Sequence, residues 1–177
     1  MNSTSDVREH ADVPGGMVVA HDGSTGSQEA LVWALAMAAR THWPVHVVRA
    51  WQLSTCPQPP SATIGYVPPL VEWEQAVHDE LSRHVAEVAG PAAQHVHCQV
   101  VHASPARALI EASRAADVVV VGARGLGGFS GLLLGSVSDQ LVHHAACPVT
   151  VVRPGTTIRG TIADPVDEDV ERRPLDL

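Results

Sequence analysis

The chain has 177 residues, 45% of them apolar, and a formal net charge of −8. That length suits one well-buried domain and is short for two; the apolar content excludes wholesale disorder, and no apolar run approaches the roughly 18 residues of a bilayer span. The basic side chains are all Arg, with no Lys, so an acidic chain argues against a nucleic-acid partner and the missing Lys removes the Walker-A lysine, Schiff-base chemistry and the kinase strand lysine.

The opening MNSTSDVREHADV has neither a charged start followed by an apolar stretch nor a cleavage pattern, so the expectation is a cytoplasmic protein without an export signal. Residues 1–14 are polar and aperiodic and read as a flexible segment, closed by Pro14-Gly15-Gly16. Met17-Val18-Val19-Ala20 is a short buried strand that stops at the turn His21-Asp22-Gly23-Ser24. From Ser27, the spacing of Ala30, Leu31, Ala34, Leu35 and Ala38 predicts a helix, ended by Pro44. Val45–Trp51 is the next strand.

Residues 52–69 form a proline-rich loop of unusual length, of the kind that is functional or loosely ordered. A second helix is predicted over Leu70–Ala89, its period set by Val71, Glu74, Gln75, His78, Leu81, Val85 and Val88, and Gly90-Pro91 stops it. Val96–His102 alternates as a third strand. Ser104-Pro105 is a helix start, because serine caps free N–H groups and proline at the first position gives up an N–H that would be unpaired anyway. Ala108, Leu109, Ala112 and Ala116 mark that helix's inner face. Val118–Val121 is uniformly apolar, as a central strand covered on both faces must be. A glycine-rich loop over 122–135, a helix over 136–146 and a strand over 148–152 complete the domain, 15–154; the acidic, aperiodic residues 155–177 read as a disordered tail.

Strands alternating with helices predict an α/β fold. It is a single three-layer domain with a five-stranded parallel sheet and helices on both faces, doubly wound. Ligands in such sheets bind at the carboxyl ends of strands where the strand order reverses. Asp22 and the Gly122 loop each follow a strand's carboxyl end, which points to one shared pocket.

In the loop, Gly122-Ala-Arg-Gly125 follows the strand directly and Gly135-Ser136 opens a helix. Glycines permit positive φ and close approach to a ligand, the helix start aims N–H groups and its positive dipole end at the loop, and Arg124 adds a formal positive charge. Phosphate suits that arrangement. A turn-forming loop before a helix capped through Ser136-Val-Ser-Asp139 would look the same, and the residues alone leave both open. A lysine-bearing phosphate loop is impossible here, and GxGxxG is not matched. Cys56, Cys98 and Cys147 form no CxxC and read as reduced thiols. His95 with His97, and His143 with His144, lack a carboxylate or cysteine at ligand spacing, so no metal site is expected.

The spacing Gly122-x2-Gly125-x9-Gly135-Ser136 resembles the ATP-binding signature of the universal stress protein family. AHDGSTGSQEAL, VHVVRAW, SPARALIEASRAADVVVVG and the stretch through VTVVRP resemble the family's other segments, from about Met17 to Pro154. The resemblance implies an adenine-nucleotide α-hydrolase-like, flavodoxin-like fold, ATP with Mg²⁺ as ligand, and no catalytic residue. It places the ribose at Asp22, adenine at the backbone of Ala50, and phosphates on Gly122, Arg124, Gly125, Gly135, Ser136, Val137 and the hydroxyl of Ser138. It also implies a homodimer through the strand at 149–152 and a regulatory or sensor role in stress, with a protein partner unspecified. Slow ATP hydrolysis and a nucleotide-free structural dimer are the alternatives. His21 stands where an aliphatic residue is usual, Arg49 where many members have histidine, and Ser104 where glycine is common.

Overall fold

The computed structural model describes residues 7–127 and 133–158. Five strands form one sheet: β1 (Met17–Ala20), β2 (Val45–Trp51), β3 (Val96–His102), β4 (Val118–Gly122) and β5 (Val149–Val152). Their order is β3-β2-β1-β4-β5, and each neighbouring pair is parallel. β1 is central: the chain winds outward to β2 and β3 on one side, then returns to β4 and β5 on the other. The order therefore reverses between β1 and β4, and a crevice opens at their carboxyl ends.

Helices α1 (Thr25–Thr41) and α2 (Leu70–Ala89) cover one face; α3 (Pro105–Ala112) and α4 (Ser136–His144) cover the other. Because side chains alternate along a strand, Met17 and Val19 enter the core under α1 and α2, while Val18 and Ala20 enter the core under α3 and α4. In α1, Ser24 accepts a hydrogen bond from the Ser27 N–H at 3.2 Å, and small Ala30 and Ala34 let the helix lie close on β1 and β4. Its carboxyl end is closed by His42 in the left-handed region, φ 57°, two residues before Pro44.

The buried face of α2 runs through Val77, Leu81 and Val85, with Trp73 and Val88 at its margins. Val71, expected in that face, is exposed, and His78 lines an open groove beside β3. The expected and observed faces share Leu81, Val85 and Val88, and Val77 takes the place of Val71 in the core. Ser104 does occupy the N-cap of α3 with Pro105 behind it, but its side chain makes no capping hydrogen bond. The last helix ends at His144, two residues short of the expected boundary, and a short 3-10 helix, Gly90–His95, joins α2 to β3.

Residues 7–13 have no periodic apolar pattern, yet they dock on β3. The His102 N–H donates to the Arg8 carbonyl at 2.8 Å. The buried Gln99 amide is satisfied at both ends by Asp12, accepting its N–H at 2.7 Å and donating to its carbonyl at 2.6 Å. Val13 is buried beside Val18 and Val101. Residues 1–6 and 159–177, and with them most of the expected tail, lie outside the described residues.

Removing residues 1–13 takes away the Asp12 pairing of Gln99 and the burial of Val13, a loss of about 1–3 kcal/mol. Urea denaturation of the truncated chain should show that loss, and an unchanged midpoint would make the segment a passenger.

Candidate functional site

The crevice at the switch point is a cleft of about 190 Å³, smaller than the roughly 300–1,000 Å³ of typical ligand pockets. Its floor is apolar: Ala20 from β1, Val48 from β2, Val121 from β4 and Leu109 from α3. Asp22, Ala50, Gly122, Arg124, Gly125, Gly135, Ser136, Val137 and Ser138 all line it. Residues up to 118 positions apart in sequence (20 to 138) thus share one cavity.

Asp22 joins the two halves of the cleft. One carboxylate oxygen accepts the Ser24 N–H at 3.0 Å, and the other accepts the Leu126 N–H across the cleft, also at 3.0 Å. Burial pushes its pKa up, but hydrogen bonds from Ser24, Leu126 and Ser27 outweigh that and hold the carboxyl below its ordinary value. It is therefore ionised at neutral pH. Each oxygen accepts one backbone N–H, and the Ser24 and Ser27 side chains add to the donors around the carboxylate.

Gly122 and Gly125 are present for space. None of Gly122, Gly125, Gly127 or Gly135 has positive φ, contrary to the turn argument made from sequence. A Cβ on Gly122 would sit 2.6 Å from the carbonyl carbon and oxygen of Gly26. A Cβ on Gly26 would strike the Arg124 carbonyl, and one on Gly125 the Asp22 carboxylate. Gly135 is different: at φ −78° and ψ 164° it is the N-cap of α4, and a Cβ there would meet Arg124 Cα at an ordinary 3.5 Å. Gly26, in the first turn of α1, has no signal of its own in the sequence beyond being a glycine inside a helix.

Among the described residues no side chain caps α4, so the capping box suggested by Ser136-Val-Ser-Asp139 does not form. The first-turn N–H groups are left facing the loop, where a helix start favours an anion. Ser138 is buried, and its hydroxyl lies 3.0 Å from the Ala123 carbonyl and 2.9 Å from that of Gly135. Its proton ties loop to helix. Arg124 and Ser136 are exposed at the cleft mouth.

His21 is buried beside the cleft, with neither ring nitrogen hydrogen-bonded among the described residues. Burial first, then His84 and Arg49, lower its pKa to about 4, so it is neutral near pH 7. Ser24, Ser27 and the floor residues were not singled out from sequence. Ser24-x-x-Ser27 following Asp22 is a local turn-and-cap pattern that could have found the first two.

A profile described as the universal stress protein family matches residues 16–153. A universal stress protein of Mycobacterium tuberculosis is 35% identical over 145 residues, covering 77% of this chain and 47% of the relative. The chain spans about half the length of the curated relatives it matches. Among solved structures, a universal stress protein from Lactobacillus plantarum superposes with a TM-score of 0.59 at 21% identity, covering 81% of this chain and all of that one. A universal stress protein in complex with cAMP gives 0.53 at 26% identity, covering 80% and 98%. One from Archaeoglobus fulgidus in complex with dAMP gives 0.52 at 20%, covering 79% and 98%.

Replacing Gly122 by Ala forces backbone from backbone and should destabilise the fold by about 1–3 kcal/mol. Gly135→Ala should stay within about 0.5 kcal/mol. Paired denaturant titrations check the contrast.

Proposed function

Because the chain belongs to the universal stress protein family, we propose that its cleft binds an adenine nucleotide, ATP with Mg²⁺, and that occupancy is read by a partner as part of a stress response. One observation carries this. A single cleft at the sheet's switch point joins an apolar floor, an ionised carboxylate and an uncapped helix start behind a glycine loop.

The chemistry divides along the cleft. The flat base lies on Ala20, Val48, Leu109 and Val121, edge-on to the backbone of Ala50. The ribose hydroxyls donate to the Asp22 carboxylate, a charge-assisted pairing. The phosphates sit at the open mouth against Arg124 and the N–H groups of Ser136, Val137 and Ser138, where the helix dipole and the guanidinium act together. The described loop offers donors, which fit phosphate oxygens and not a cation; Mg²⁺ would arrive on the phosphates and be held mainly by them and by water. The cAMP and dAMP complexes of similar proteins support adenine as the base. A cytoplasmic location belongs to the same reading, supported by the finding that no helix among the described residues is long and apolar enough to cross a membrane.

The reading includes a homodimer through β5. This strand ends the sheet order, with Val149, Thr150 and Val151 half-buried, and an unpaired edge invites a second copy about a two-fold axis. The carbonyls of Pro148 and Val152 accept from Val119 and Ala123, so by the two-residue alternation of a strand the N–H of Val151 points away from β4.

Calorimetry tests the nucleotide: ATP should bind with a dissociation constant below a millimolar. Asp22→Ala should weaken it about ten- to a hundredfold, and Arg124→Ala should weaken ATP far more than adenosine. Absence of ATP binding in the unmutated chain sinks the proposal. Light scattering tests the dimer: Val151→Pro should give a monomer with an unchanged circular dichroism spectrum, since no bond within the sheet is lost.

A further inference from the structure

On the sheet face opposite the cleft floor, a second polar cluster is buried under α2. Arg49 at the end of β2 is 9% exposed and His21, after β1, is 4% exposed; Glu80 and His84 come from adjacent turns of α2. Arg49 Nη2 meets Glu80 Oε2 at 3.2 Å, but Nη1 has no hydrogen-bond partner among the described residues. His84 Nε2 lies 3.3 Å from Arg83 Nη2. A guanidinium only donates, so Nε2 accepts and Nδ1 is the ring nitrogen that carries the proton. Glu80 Oε1, 3.9 Å from the same Nε2, is too distant for a hydrogen bond. The His84 Nδ1–H is therefore a buried donor, and it too lacks a partner.

The unpaired groups converge. A Cβ placed on Gly23 would lie 3.4 Å from His84 Cε1, 3.8 Å from His84 Nδ1 and 3.9 Å from Arg49 Nη1, so both donor nitrogens lie within 4 Å of one point above a residue without a side chain. The His21 ring, with both nitrogens unpartnered, stands 5.5 Å from the His84 ring. Among the described residues no carboxylate reaches these two donors: Glu80 meets Arg49 through Nη2, and Asp22 accepts from Ser24 and Leu126. Buried donors without an acceptor are costly and few in folded proteins, and a guanidinium among them favours an acceptor that carries charge. His21 and Arg49 are also two of the positions at which this chain departs from the resemblance stated above.

We propose that Arg49, His84 and His21 form a binding site for a small monovalent anion of the size of chloride or bromide, seated over Gly23. The groups facing the two imidazoles are Arg49 from β2, Glu80 from α2 and Asp22 from the adjoining turn, with Cys56 of the following loop beside Arg49. Burial and the neighbouring Arg49 and His84 hold His21 neutral. An anion offsets that penalty, so its uptake favours the imidazolium and tightens as the pH falls.

The test is thermal denaturation of the full chain at constant ionic strength, with sodium bromide replacing sodium gluconate, at pH 6 and pH 8. Each tenfold rise in bromide above its dissociation constant should raise the melting temperature by roughly 3–6 °C, with half-effect at lower bromide at pH 6. Arg49→Met combined with Glu80→Met, which removes the ion pair together and strands neither charge, should abolish the shift. Equal melting temperatures in the two salts, as a bridging water would give, overturn the proposal, as does a bromide shift that survives in the double variant. Anomalous scattering from crystals grown in bromide is a readout independent of the variant. A peak within hydrogen-bond distance of Arg49 Nη1 and His84 Nδ1 supports the site, and no peak there overturns it.

Discussion

Where β4 ends and α1 begins, backbone lies directly on backbone. Gly122 and Gly26 meet without side chains between them, and a Cβ on Gly122 would intrude to 2.6 Å. That close approach sets the rest of the cleft. It draws the first turn of α1 against the loop that follows β4, which brings the turn at Asp22 within reach of Leu126. With the loop held down, the start of α4 faces the cleft instead of solvent, secured by the Ser138 hydroxyl on the Ala123 and Gly135 carbonyls. A wedge at the glycine contact would loosen all of these at once, because none of them is local in sequence.

The ends of β1 and β2 carry two environments back to back. Side chains on a strand point alternately to opposite faces, so Ala20, Val48 and Ala50 face α3 and α4 while His21 and Arg49 face α2. One face is an apolar floor suited to a flat ligand. The other is a buried ionic cluster in an acidic chain, and its Arg49–Glu80 pair survives there because both charges stay partnered. The main chain at His21-Asp22-Gly23 is common to both, so each face constrains the other.

The two sheet edges are treated differently. At β3 the amino-terminal segment contributes the Arg8 carbonyl and the Asp12 amide pairing, which cover polar groups that would otherwise face solvent. At β5 no described residue pairs with the outward side. An edge so short and half-apolar is a natural place for a second chain.

The amino-acid sequence by itself determined the strands, the alternation with helices and the residues of the glycine loop. Met17–Ala20, Val45–Trp51, Leu70–Ala89 and Val96–His102 coincide with elements of the structure, because apolar period, proline and glycine act within a few residues of themselves. Asp22 and Gly122 through Ser138 were legible for the same reason, as a turn and a loop at strand ends. Only the tertiary structure decided that Val77 and not Val71 of α2 is buried, why Gly122 and Gly125 must lack a side chain while Gly135 need not, and that residues 7–13 dock on Gln99. It alone placed Gly26 against the loop and His84 and Glu80 beneath His21 and Arg49. Each of those outcomes is a contact between segments far apart in the chain, set by steric fit and by the pairing of buried polar groups, and no local pattern records which distant residue will supply the partner.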